Sequence, residues 1–434
     1  MDDTNRPGTV QTGDGPQAKS TKQRYTVKEA AAPVTRLETD PVEVGGADLV
    51  VGVEETPKVK RPAHGVALCL SGGGYRAMLF HLGALWRLNQ LGYLPKLSRV
   101  SSVSGGSITA GVLAMAWDKL DFTEGGVVDA RQFNAEIVTP LRRLASKTID
   151  IWSVLGGMFM GGTVSTYVSA YYNRYVFNDL SLKNLPTGTA PDFIFNASNL
   201  QSGVLWQFSR DHAGDYRVGW LRKPDVSVAR AVAASSAFPP FLAPATYKFD
   251  PNTQPFGRGP HSDLNCEPYT TDVLLVDGGV YDNLGLETAW KYYDTVLVSD
   301  GGGKMPPMPK PRKNWVAQFL RVRDMTDNQV RGLRKRQLIA SYLANEQDAI
   351  HRFGAFWGIR TEIADYELPD TLECPPGQTE ILANVQTRLG RLNKTTQERL
   401  INWGYAICDA GMRRYVIDGP TTPPKFPYPN AKVG

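Results

Sequence analysis

Cysteine is scarce in this chain: Cys69, Cys266, Cys374 and Cys408 are spread over 434 residues with no C-x-x-C pair. That removes a disulfide framework and a cysteine-based zinc site, and it fits a reducing compartment. Net charge is also small. Forty-eight Lys and Arg against 43 Asp and Glu leave +5, too dilute for nucleic-acid binding along the whole chain. The N-terminus begins with two acidic residues and lacks the apolar run of about 7 to 15 residues that a secretory signal needs. Two long uncharged stretches fall short of the ~20 predominantly apolar residues of a membrane span. Residues 100–117 carry four serines, and residues 151–173 carry four glycines and three tyrosines. No acidic loop of EF-hand type is present, so calcium is not expected.

What is present is a globular composition, 42% hydrophobic and 21% charged, with uneven organisation. Residues 1–62 mix ten acidic with nine basic side chains and read as a flexible polar tail, with one short docking strand near residues 47–53. Order is expected to start at His64. Residues 65–70 form an apolar run suited to a buried strand, 71–74 a glycine turn, and 76–91 a helix closed by Gly92. The unit repeats: 97–103 reads as a strand, 104–106 as a tight turn, and 107–117 as a helix apolar on nearly every face, hence central. Further strands are expected at 192–200, 271–279 and 294–303. A small-residue helix from 226 should be stopped by Pro239 and Pro240. Alternating buried strands and helices predict an α/β fold with a mostly parallel central sheet flanked by helices. One more helix is expected over 379–405, and a proline-rich tail over 416–434. From Lys310 to Arg336 nine basic residues face only Asp324 and Asp327, so the basicity of the chain is local.

Parallel α/β sheets bind ligands at the carboxyl ends of their strands, where Gly72–Gly74 and Ser104 both fall. Ser104 lies in Ser102-Val103-Ser104-Gly105-Gly106, a nucleophile elbow in which serine replaces the usual first glycine. Such a turn exposes the hydroxyl beside a helix N-terminus, where developing negative charge is favoured. The same residues would also serve as a Ser/Gly turn capping a buried helix. Gly72, Gly73 and Gly74 let several amides point at one oxygen, as an oxyanion hole requires, and Arg76 adds fixed positive charge. A nucleotide phosphate loop is disfavoured, because G-x-x-x-x-G-K-[ST] is absent and no acidic residue stands at the dinucleotide spacing.

A serine needs a base. His64, His81, His212, His261 and His351 all lie in contexts better read as surface or satisfied core histidines. A desolvated carboxylate can take the role. Asp277 ends an apolar strand before Gly278-Gly279, and Asp300 ends another before three glycines, so position alone leaves both open.

The segments SGGGYRA, SVSGGS, ASSAFPPF and VDGGVYDNLGLE, in this order between Gly65 and about Asp300, resemble the patatin-like phospholipases. The resemblance implies a patatin-like three-layer sandwich and lipid acyl hydrolase activity through a serine–aspartate dyad without metal or organic cofactor. It implies Ser104 as nucleophile and Asp277, favoured over Asp300 by the following VYDN, as base. Gly72, Gly73, Gly74 and Arg76 would form the oxyanion hole. The expected catalytic domain spans 63–415, with a motif-bearing core at 65–303 and a helical part at 310–415. Expected partners are phospholipid or another acyl lipid and, transiently, a membrane surface, with no nucleic acid; the expected location is cytoplasmic, peripheral at a membrane. Residues 151–177, rich in aromatics and glycine, suit an acyl-chain channel, a mobile cover or plain core packing. The 310–336 stretch suits anionic headgroups or a solvated, charge-laced helix. Two other readings stand beside the first: a serine esterase, thioesterase or acyltransferase using soluble acyl donors, and a non-catalytic lipid-binding or regulatory protein.

Overall fold

The computed structural model describes residues 62–149, 163–303 and 305–434. The short strand expected at 47–53 and the first half of the 151–177 segment lie outside these residues. Eleven strands join in one sheet: β1 (Ala63–Leu70), β2 (Leu97–Ser102), β3 (Asp192–Asn199), β4 (Leu205–Phe208), β5 (His212–Asp215), β6 (Gly219–Arg222), β7 (Ala245–Lys248), β8 (Phe256–Gly257), β9 (Asp272–Asp277), β10 (Tyr293–Asp300) and β11 (Phe353–Gly358). The order β11-β10-β1-β2-β3 is parallel throughout. Beyond β3 the sheet continues antiparallel through β4, β5, β6 and β8, and β9 pairs antiparallel with both β3 and β7.

The main helices are α1 (Gly74–Gln90), α2 (Gly105–Ala116), α3 (Val164–Tyr172), α4 (Val228–Ser235), α5 (Trp315–Leu343), α6 (Pro376–Ala383) and α7 (Lys394–Tyr415). Alternation along the parallel strands sorts side chains to two faces. Leu68, Leu70 and Leu297 join the larger core with α1, α2 and α7. Ala67, Cys69, Val296 and Val298 point the other way and pack with Leu284, Leu286, Leu338 and Tyr342. Helix, sheet, helix is therefore the layering expected from the alternation of buried strands and helices. All of α2 except Met115 is buried, as its apolar circumference requires.

Three differences from the sequence reading bear on the site. First, α4 ends at Ser235, before Pro239, leaving residues 236–242 as a loop. Second, the helix expected over 379–405 is two helices, α6 and α7, and α7 opens on an Asn393 cap that accepts from the Thr396 amide. The intervening segment carries the Val385 and Arg388 carbonyls to the glycine loop: Arg76 donates to the first and the Tyr75 amide to the second, at 3.2 Å. Third, the antiparallel strands β4–β6 are four residues each, too short for a periodic signal. The C-terminal part is tied to the motif-bearing core by an ion pair between Arg87 on α1 and Asp409 on α7, 2.7 Å long with both side chains buried. Residues 416–434 hold no helix or strand yet dock on α7, where Asn402 bonds the Tyr428 and Lys432 carbonyls. No helix among the described residues is long and apolar enough to cross a membrane.

Candidate active site

β2 and β9 meet almost end to end along one edge of β3. In register, Ser102 of β2 lies opposite Phe195, and Asp277 of β9 lies opposite Ala197. Only Asn196 separates them. Because β9 is antiparallel to β3 while β2 is parallel, the carboxyl ends of β2 and β9 converge, and so do Ser104 and Asp277. Asn196 bridges the gap by donating to Ser101 Oγ and to the Ser102 carbonyl, at 2.9 and 3.0 Å.

The turn out of β2 is strained. Ser104 has φ 50° and ψ −117°, a left-handed conformation rare for a residue with a Cβ. The strain is held by a network of small hydroxyls. The Ser104 amide donates to Ser235 Oγ at 2.9 Å, Ser235 bonds Ser107 at 2.8 Å, and Ser107 donates to Ser102 at 3.0 Å. Ser102, the departure from the usual elbow, also donates to the Ile194 carbonyl at 3.0 Å, so its hydroxyl is absorbed rather than crowded. A Cβ on Gly105 would sit 2.2 Å from the Gly74 carbonyl oxygen; the glycine loop rests directly on the elbow.

The Ser104 side chain lies close enough to the Asp277 carboxylate to lower its proton affinity, and Asp277 Oδ1 accepts from the Gly279 amide at 2.7 Å. Burial pushes this carboxyl up to about 7, against the pull of the Gly279 amide and Ser104 and with help from Asp327. Asp300 differs despite its similar sequence context. Burial acts on it too, but Arg331 at 2.7 Å and the Gly302 amide outweigh it and hold Asp300 below the usual carboxylate range. The structure thus brings Asp277, not Asp300, to Ser104.

Of the glycine loop, Gly72 donates its amide to the Asn283 carbonyl at 3.0 Å, which leaves Gly73 and Gly74 as the amides without a protein acceptor among the described residues. Arg76 is buried; it donates through Nε to the Gly301 carbonyl at 3.1 Å and through Nη1 to Val385. Its Nη2 has no partner among the described residues and lies against Gly73. Burial lowers the guanidinium to about 10, still cationic near neutral pH. His81 supports the loop from below. It bonds Ser299 Oγ at 2.8 Å and the Ser71 carbonyl at 2.9 Å, and burial lowers it to about 4. It is therefore a neutral strut, as expected of a core histidine.

Sequence reasoning missed Asn196, Ser235 and Asn283 as site builders, although Ser235 and Asn283 lie within recognised motifs. It also missed a set of buried polar atoms. The Tyr75 and Tyr172 hydroxyls and Ser236 Oγ, like Arg76 Nη2, have no hydrogen bond of ordinary geometry among the described residues. Tyr172 faces Ser236 and lies within the field of Asp277. Buried polar groups are rarely left unpaired, which makes Tyr75, Tyr172 and Ser236 candidates to meet the oxygens of a ligand or water.

A family model for patatin-like phospholipases matches residues 68–290. No curated protein sequence matches the chain. Among solved structures, human GIVD cytosolic phospholipase A2 is similar at 14% identity and TM-score 0.50, over 81% of this chain and 59% of that one. Its complex with methyl gamma-linolenyl fluorophosphonate and terbium chloride gives 14% and 0.46, over 80% and 57%. VipD from Legionella pneumophila gives 14% and 0.33, over 81% and 67%. The human protein's likeness is one of fold, and this chain spans under two thirds of its length.

Proposed function

Since the chain belongs to the patatin-like phospholipase family, we propose that it is a phospholipase A-type lipid acyl hydrolase, cleaving carboxylic esters of phospholipids or related lipids through Ser104 and Asp277. The observation that carries this reading is the convergence of the ends of β2 and β9 along β3, which sets Ser104 beside the buried Asp277; burial raises that carboxyl to about 7, a value suited to proton transfer near neutral pH. Asp277 accepts the Ser104 proton as Oγ attacks the ester carbonyl. The Gly73 and Gly74 amides, with Arg76 Nη2 behind them, hold the tetrahedral oxyanion, and the helix N-terminus at Gly105 adds favourable potential. Collapse expels the lysolipid alkoxide, which takes the proton from Asp277. Water, deprotonated by Asp277, then attacks the acyl-enzyme; the acyl–Oγ bond breaks, the fatty acid leaves, and Asp277 returns the proton to Ser104. The unpaired hydroxyls of Tyr75, Tyr172 and Ser236 would meet the ester and water oxygens. Residues 63–415 act as one catalytic unit in this reading, and the protein works peripherally at a membrane.

The test is fatty-acid release from mixed phospholipid vesicles by wild type, Ser104→Ala and Asp277→Asn, with a short-chain soluble ester in parallel. Vesicle hydrolysis abolished in both variants supports the proposal. Hydrolysis of the soluble ester alone moves the reading to an esterase or acyltransferase of soluble donors, and inactivity on both moves it to a lipid-binding role.

A further inference from the structure

The N-terminal half of helix α5 turns an apolar stripe to solvent, whereas its C-terminal end buries Leu338 and Tyr342 in the core. Trp315, Phe319, Val322 and Leu333 fall on one stripe at helical spacing, with Met325 at its border. A stripe of this kind ordinarily faces the core. Here Trp315 is 80% exposed, Phe319 67%, Val322 57% and Met325 55%. Over residues 315–334 the polar contacts to the protein body are made by arginines, while Leu338 and Tyr342 near the C-terminal end of the helix are packed in the core. Arg323 donates to the Pro239 carbonyl and stacks 4.7 Å from the Phe238 ring centre, Arg331 pairs with Asp300, and Arg334 pairs with Glu287 at 2.9 Å. The stretch read as suiting anionic headgroups or a charge-laced solvated helix is a helix, and its solvent side carries this apolar stripe among polar residues such as Gln318, Thr326 and Gln329.

The surroundings say what covers that face. Lys310, Arg312, Lys313 and Arg336 are exposed around the stripe, while of the two acidic residues on the helix Asp324 is paired with Arg323 at 2.6 Å and Asp327 lies in the field of Arg331 and Arg323. Under Arg323 the 236–242 loop exposes two more aromatics, Phe238 and Phe241. The same loop holds the base, because the Asp277 amide donates to the Ala237 carbonyl at 2.9 Å. We propose that the Trp315–Phe319–Val322–Met325 face of α5, continued by Phe238 and Phe241, docks the protein on an anionic phospholipid bilayer. The aromatic and aliphatic side chains enter the interface, and the collar of Lys and Arg meets the headgroup phosphates. A protein groove would be satisfied by the stripe alone; the cationic collar favours an anionic sheet. This inference rests on the lipid-hydrolase reading for its purpose, since docking there sets the base side of the dyad against lipid.

The experiment is vesicle flotation with the full chain, using phosphatidylcholine alone and phosphatidylcholine containing one third phosphatidylserine. The variants are Trp315→Ser/Phe319→Ser and Lys310→Glu/Arg312→Glu/Lys313→Glu. Wild type is expected to float with the anionic vesicles more than with the neutral ones. The first variant should lose affinity for anionic vesicles at least tenfold, with melting midpoint and soluble-ester hydrolysis retained; the second should lose the preference for phosphatidylserine. Flotation by the serine variant equal to wild type overturns the proposal, as does wild type that binds neither vesicle. A wild-type dimer that the serine variant converts to monomer with vesicle affinity kept would assign the face to a second copy, also overturning it. Failure of the hydrolase reading is separable: a chain inactive on every ester that still floats through Trp315 and Phe319 retains the docking surface.

Discussion

Arg331, reaching inward from α5, holds the Asp300 carboxylate at 2.7 Å, and this contact separates the two aspartates that end β9 and β10. Burial acts on both. Only Asp300 has a guanidinium to stabilise its charge, so Asp277 alone is left with a proton affinity near neutrality. A general base must be ionised to work. The kcat/KM for a soluble ester is therefore expected to rise about tenfold per pH unit below about 7 and to level off above it. A pH–rate profile between acid and mildly alkaline pH checks this; a single inflection near the ordinary carboxylate value would remove Asp277 as a desolvated base.

The same shift predicts a stability effect of definite sign. The native carboxyl titrates at about 7, whereas an unfolded aspartate titrates near ~3.9. Between these values the native state keeps a proton that the unfolded state has lost, so stability falls as pH rises through the window and stays reduced above it. Asp277→Asn keeps an oxygen for the Gly279 amide and removes the buried charge. It should melt several degrees above wild type at pH 8 and indistinguishably at pH 4, while hydrolysis drops ~10³-fold or more. Thermal melts at the two pH values, beside a rate assay, decide it.

Much of this was legible in the sequence because each key turn is punctuated. Apolar runs ending in Gly72–Gly74, in Ser104-Gly105 and in Asp277-Gly278 announce strand ends at a ligand edge, and the four motifs gave their order. The equivalence of Asp277 and Asp300 was not resolvable from residues alone, since the deciding cation, Arg331, lies 31 positions from Asp300. Nor could spacing show that the Trp315 stripe faces solvent: periodicity fixes that one side of a helix is apolar, not which way it is turned. The meeting of β2 and β9 along β3, and the parts played by Asn196, Ser235 and Asn283, are properties of register. The antiparallel strands, such as His212–Asp215, are too short and too polar to signal themselves.

Removing the Asp300 partner should be costly. Arg331→Met leaves a buried carboxylate without its cation, a change worth ~3–5 kcal/mol of lost stability. In the double variant Asp300→Asn/Arg331→Met no charge is stranded, and most of that loss should return. Urea denaturation of the two single variants and the double variant measures the coupling. Near-additive losses would mean that the pair does not carry the electrostatic role assigned to it.

Gly73 is the position where loop geometry and chemistry meet most closely. Its φ is 147°, and a Cβ there would lie 2.9 Å from both the Gly301 carbonyl oxygen and Ala77 Cβ. Gly73→Ala must therefore move the loop by tenths of an ångström or displace β10's glycine turn, and either motion re-aims an amide that this mechanism points at the oxyanion. Loss of one such donor is worth ~10²–10³-fold in kcat. Because the donor acts on charge that develops only in the transition state, KM for a soluble ester should change far less than kcat. Steady-state kinetics on that ester, with the melting midpoint recorded to show that the fold survives, separates this outcome from simple unfolding. A variant with unchanged kcat would place the oxyanion donors elsewhere than on the Gly73 amide.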